Sequence, residues 1–312
     1  MNAAAVRIAR IAVALGLTAY FLWKSNPREV LAVASDADWR PLVFAVVLVL
    51  VDRALMAYRW IALLYTLEPA DRPALGAILR VFFLSTFLGS FLPSVGGDAV
   101  RAYSIARLRI RSGDAVASVF MDRMLGIAAL LVMALAGLAL ARQLAAAGSA
   151  CLMTLLLIFS PRTALAGPLT LLRRLAPSRL PAAATDAGQR LLESIQRYAA
   201  HRAELAKVLA CSVAVQVIRV FQAYYLGRSL GIDAPLATYF AVLPLILLVM
   251  LLPITVNGIG TGQAAFVWFF AQFGVAGAPA FALSVLFIAL GVVGNLPGGI
   301  LYAFGGRQER LA

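Results

Sequence analysis

The chain has 312 residues, 62% hydrophobic and 13% charged, with a mean hydropathy of +0.90. Soluble domains carry roughly a quarter charged residues, so this composition excludes one and points to an all-α, polytopic membrane protein forming a single domain over 1–312. The net charge of +13, from 27 Lys and Arg against 14 Asp and Glu, fits basic loops and anionic lipid head groups better than nucleic acid.

At the N-terminus Arg7 and Arg10 precede an apolar run over 11–23. Ala32-Val33-Ala34 could pass for a cleavage site, but the charged stretch from Lys24 to Glu29 is too long for a signal peptide, so 5–23 reads as a first membrane helix. About 20 apolar residues span a bilayer, and the further candidates are 41–66, 74–92, 114–140, 144–160, 204–228, 235–252, 262–276 and 279–304. If every segment crossed, the N-terminus and the basic loop 161–203 would lie on opposite sides, against the positive-inside rule. Reading 74–109 as a hairpin that enters and leaves from one face removes the conflict, and 235–276 reads as a second hairpin from the opposite face. Six spanning helices with two opposed hairpins is the preferred count, and eight with one hairpin is the alternative. Both place the termini on the cytoplasmic side of an inner membrane.

Within 161–203, Pro161, Pro168, Pro177 and Pro181 mark an irregular linker. An amphipathic helix near 184–200 follows, with Leu191, Leu192, Ile195 and Tyr198 on one face and Arg190, Glu193 and Arg197 on another. It would lie on the membrane surface or pack on helix ends.

The stretch Phe91-Leu92-Pro93-Ser94-Val95-Gly96-Gly97-Asp98-Ala99-Val100-Arg101 puts a helix breaker, two glycines, an acid and a base where a membrane segment should be featureless. Pro253-Ile254-Thr255-Val256-Asn257-Gly258-Ile259-Gly260 echoes it. Non-helical backbone in a membrane is tolerated only where protein or water surrounds it, and paired interruptions in two halves point to a transport site. Ser94, Gly96, Gly97, Asp98 and Arg101 are therefore candidate binding residues, with Asn257, Gly258 and Gly260 from the second break. An alternative is that Asp98 and Arg101 simply pair with each other.

Ionisable residues inside spanning helices are costly unless paired or hydrated. Asp52-Arg53, Arg59, Asp122-Arg123 and Arg219 fall in such positions. Asp122, Arg123 and Arg219 join the candidates, against the plainer reading of ion pairs that hold a bundle together. Helix neighbours point about 100° apart, so Asp122 and Arg123 should find different partners. Phe266, Trp268, Phe269 and Phe270 read as packing or lipid contact. Asn295-Leu296-Pro297-Gly298-Gly299 should interrupt the last helix. Cys151 and Cys211 lie in apolar runs and His201 in a polar one, so neither a metal site nor a cofactor is expected.

These motifs, with Met121-Asp122-Arg123-Met124-Leu125-Gly126, resemble the membrane domain of the lysylphosphatidylglycerol synthase family, also described as flippase-like integral membrane proteins. The likeness covers nearly the whole chain. It implies a lipid-handling domain whose polar interior maps onto Asp98, Arg101, Asp122 and Arg123. Where many members carry Arg-Glu after the second glycine motif, this chain has Gly262-Gln263. No soluble aminoacyl-transferase domain is expected after Arg307 and Arg310.

Three functions follow as expectations. The first is transport or flipping of an anionic phospholipid or polyprenyl lipid. The second is an accessory protein for a lipid-modifying enzyme, with 161–203 docking that partner. The third is a membrane enzyme, disfavoured because no buried His or nucleophile–base pair is present.

Overall fold

The computed structural model describes residues 3–67, 73–92, 96–108, 110–140, 191, 193–198, 200–252, 255 and 258–305. Among them are ten named helices and no strand: α1 (Ala3–Lys24), α2 (Pro27–Ser35), α3 (Trp39–Leu67), α4 (Leu75–Gly89), α5 (Gly96–Ala106), α6 (Ser112–Leu140), α7 (Arg202–Ser229), α8 (Leu236–Met250), α9 (Thr261–Ala271) and α10 (Gly277–Gly305). This is an all-α membrane fold. Windows in α3, α6 and α10 are long and apolar enough to cross a bilayer. The expected segments coincide with α1, α3, α4 and α6 to α10, while 144–160 lies outside the described residues. Helix α2 was not expected. Its charged start hid it, although Pro27 at the first turn suits a helix opening.

The last eight helices form two copies of one unit. Each copy runs long, short, shorter, long: 29, 15, 11 and 29 residues for α3 to α6, and 28, 15, 11 and 29 for α7 to α10. Exchanging α3 with α7, α4 with α8, α5 with α9 and α6 with α10 turns every packed pair among these helices into another packed pair. Equivalent helices run in opposite directions. Along α3 and α7 the Asp38 amide meets the Ser229 carbonyl at 2.8 Å, Asp52 meets Arg219, and Arg59 meets Ser212. The pseudo-twofold is therefore perpendicular to these helices, as in an inverted repeat.

The short helices form antiparallel arms. In the first pair Gly97 lies against Gly89, and Arg101 against Ser85. In the second, Gly262 lies against Met250 and Tyr239 against Phe270. At 1.5 Å per residue the arms are about 22 and about 16 Å long, short of the roughly 30 Å of a bilayer core. Each pair then docks on the long helix of the other copy, α4 on α10 and α8 on α6. Glycine makes both dockings close. A Cβ on Gly137 would fall on the backbone of Phe240 and Ala241, and one on Gly298 on the Phe83 carbonyl. Helix α10 runs unbroken through Pro297, contrary to the expected interruption. Gly298 and Gly299 serve instead as the seat for α4.

The aromatic residues of α9 divide as expected. Phe266, Phe269 and Phe270 are buried with α7, α8 and α10, while Trp268 is exposed. Cys211 is a free, partly buried thiol, and Cys151 lies outside the described residues. His201 is exposed at the start of α7.

Of the basic segment, residues 193–198 are helical and pack on the helix ends. Tyr198 is fully buried with Leu63, Leu67, Ala117 and Val208, and its hydroxyl donates to the Leu63 carbonyl at 2.9 Å. Ser194 and Arg197 both bind Asp114. Burial pushes the Tyr198 hydroxyl pKa well above its usual value.

Candidate functional site

The two breaks in the hairpins face one cavity of about 420 Å³. Gly89, Ser90, Gly97 and Asp98 line it from the first hairpin, and Met250 to Leu252, Thr255 and Gly258 from the second. The long helices complete the wall, α3 with Asp52 and Arg53, α6 with Arg123, α7 with Arg219 and Gln222, and α10 with Gly291 and Asn295. Part of the wall is apolar, formed by Val49, Leu130, Leu247, Phe287 and Val292.

Two charged clusters sit at this cavity. In the first, Asp122 binds Arg59 at 2.6 Å and Arg101 at 3.7 Å, and all three side chains are buried. Arg59 also donates to Ser212 at 3.1 Å. Arg101 is held on every side. Its Nε donates to Ser85 at 3.1 Å and its Nη2 to Thr86 at 3.0 Å, and it lies over the rings of Trp60 and Phe82 at 5.2 and 4.8 Å. Such fixing removes the rotamer cost of placing a guanidinium. Asp98 pairs with Arg123 at 2.5 Å rather than with Arg101, and this pair is more exposed. Asp122 and Arg123 thus do find different partners, as their angular separation requires.

The second cluster lies between α3 and α7. Asp52 binds Arg53 at 2.8 Å and Arg219 at 3.1 Å. Both guanidiniums also reach the Met56 sulfur at 3.2 Å, and Arg53 donates to the Gly291 carbonyl at 3.2 Å. Around the cavity, among the described residues, five arginines (53, 59, 101, 123 and 219) therefore face three aspartates (52, 98 and 122). The excess is two positive charges.

The breaks themselves differ. At the first, the start of α5 presents Gly97 and Asp98 to the cavity, where the helix's free N–H groups favour an anion. Gly97 is required by packing, since a Cβ there would sit 2.7 Å from the Gly89 Cα and 2.9 Å from the Ser85 carbonyl oxygen. At the second, Gly258 and Gly260 take φ values of 74° and 89°, which glycine alone adopts without strain. The Gly260 donor expected there is occupied. Gly260 N–H donates to Gln263 Oε1 at 2.5 Å, Gly262 N–H to the Gly258 carbonyl at 2.6 Å, and Thr255 and Thr261 join at 3.0 Å. Gln263 thus caps its own helix instead of reaching ligand.

Of the expected binding residues, Gly97, Asp98, Arg101, Arg123, Arg219 and Gly258 line the cavity. Asp122 stands behind Arg101, Gly96 packs against Leu92, and Gly260 belongs to the cap. Ser94 and Asn257 lie outside the described residues. Ser85, Thr86, Ser90 and Gln222 were missed, because single hydroxyls and amides in apolar helices carry no signal without a fold. Asp52 and Arg53 had been noticed as charges but not assigned to the site. Among the described residues no group of three or more His, Cys, Asp or Glu side chains is placed to hold a metal ion.

No curated protein matches this chain. The family model described as the lysylphosphatidylglycerol synthase TM region matches residues 7–298, and the chain belongs to that family.

Proposed function

We propose that the chain binds an anionic lipid in the cavity between the two hairpins and moves its head group across the inner membrane. The observation that carries this reading is the two-charge excess of arginine in a cavity whose wall is otherwise partly apolar. Buried guanidiniums are retained where they meet an anion, and the apolar wall suits the first carbons of a tail whose length remains in the bilayer. In this reading α4–α5 and α8–α9 enter the membrane from opposite faces without crossing it. The termini and the basic segment share the cytoplasmic side, and the domain is non-catalytic. Arg101, Arg123 and Arg219 hold the phosphate, while Asp52, Asp98 and Asp122 orient them.

Leaflet transfer of a labelled anionic phospholipid in vesicles reconstituted with the full chain is the test. Arg101→Ala should abolish transfer and Asp98→Asn should slow it severalfold. Wild-type rates in both variants would refute the assignment.

A further inference from the structure

The cavity wall carries more chemical information than the sign of its charge. Among the described residues its charged groups are Asp52 and Arg53 on α3, Asp98 and Arg101 on α5, Arg123 on α6 and Arg219 on α7. The excess is two positive charges whether or not the Arg59–Asp122 pair behind them is counted. The break segments 93–95 and 253–257 carry no charged residue, and α8, α9 and α10 contribute none to the wall.

Two buried amides add a second observation. Among the described residues the Gln222 side-chain nitrogen and the Asn295 side-chain oxygen have no hydrogen-bond partner. Both residues line the cavity, and they are only 4% and 8% exposed. Asn295 donates to the Ser90 hydroxyl at 2.7 Å. The Ser90 hydroxyl in turn donates to the Thr86 carbonyl at 3.3 Å, which fixes the Asn295 amide with its nitrogen on Ser90. The wall thus presents the unpartnered Gln222 N–H donor beside its excess guanidinium charge. An unmet buried donor is costly, so a ligand with several acceptor oxygens satisfies what the protein leaves open.

Resting on the lipid-binding reading, we infer that the head group is a terminal phosphate monoester. A monoester carries about −1.5 to −2 charge at neutral pH and three acceptor oxygens, which matches an excess of two and supplies an acceptor for Gln222. A diester such as phosphatidylglycerol carries one charge and leaves one guanidinium uncompensated in the interior. A zwitterionic head group leaves two.

The test is equilibrium binding to the purified full chain in detergent. The probes are short-chain phosphatidic acid, phosphatidylglycerol and phosphatidylethanolamine, with inorganic phosphate and glycerol phosphate as soluble counterparts. Phosphatidic acid should bind at least about tenfold more tightly than phosphatidylglycerol near pH 8. Its affinity should fall about tenfold near pH 5, since the second phosphate pKa is about 6. The phosphatidylglycerol series controls for any effect of pH on the protein itself and should stay flat. Gln222→Glu removes one unit of the excess and should narrow the preference between monoester and diester. Equal, pH-independent binding of the two anionic lipids would overturn the monoester assignment while leaving the anionic-lipid reading intact. Soluble phosphates binding as tightly as phosphatidic acid would overturn the lipid as source. No binding of any anionic lipid would sink the functional reading, and the inference with it.

Discussion

Gly97→Ala tests the closeness of the first hairpin. The added Cβ would lie 2.7 Å from the Gly89 Cα and 2.9 Å from the Ser85 carbonyl oxygen, where carbon contacts ordinarily settle at about 3.5–4.0 Å. The arms must part by about 1 Å, and overpacking of this kind costs about 1–3 kcal/mol. A matched control exists. Gly76 is likewise the second residue of its helix, and a Cβ there meets nothing within 4 Å, so Gly76→Ala should be neutral or stabilising, by up to about 1 kcal/mol. At roughly 2–4 °C per kcal/mol for chains of moderate size, the two variants should differ in Tm by about 2–16 °C. Thermal unfolding in detergent, followed by tryptophan fluorescence, reads this directly because Trp60 is buried beneath Arg101. Parting the arms also pulls Ser85 and Thr86 away from Arg101, so anion affinity should fall in Gly97→Ala alone. A Gly97→Ala protein that melts with or above Gly76→Ala would refute the close-packed hairpin.

Asp122→Asn leaves Arg59 and Arg101 facing each other without their shared carboxylate and should cost about 3–5 kcal/mol, read as a shift in the denaturation midpoint. Arg59→Met with Asp122→Leu should recover much of that loss, because the desolvation penalty goes with the charges. Tyr198→Phe removes the hydroxyl bond to the Leu63 carbonyl and should cost about 1 kcal/mol, seen as faster proteolysis at Arg197. The native state holds the Tyr198 proton that an unfolded chain releases near pH 10, so this tyrosine's contribution is lost as pH rises above about 10. Alkaline unfolding of the wild type, compared with Tyr198→Phe, measures that loss.

The membrane class and the positions of the long helices were legible because apolar runs of 20 or more residues admit few other structures. So was the opposition of the two breaks, since each pairs a proline with glycines after a short apolar run. What could not be read was which charges share a cavity. Asp52 and Arg219 are separated by 167 positions, and only the antiparallel α3–α7 contact brings them together. The second break misled for a local reason. The Gly260 N–H reads as an open donor, but Gln263, three residues on, turns back and accepts from it. Equally, Pro297 suggested a broken helix where the neighbouring glycines act as a packing seat for α4.

The pseudo-twofold relates backbones but not side chains. In order along the short helices, Asp98 of α5 corresponds to Gln263 of α9, and Arg101 to Phe266. A motion that exchanged the poses of the two hairpins would not return an equivalent molecule. The charged arm would trade places with a neutral, aromatic one, so the inward and outward poses would differ in free energy and in affinity for the same anion. In such a device geometry supplies reversibility and chemistry supplies bias. Under the proposed function, the two poses would therefore hold the same anion with different affinity, while the gradient of the anion, not the fold, would set the net direction.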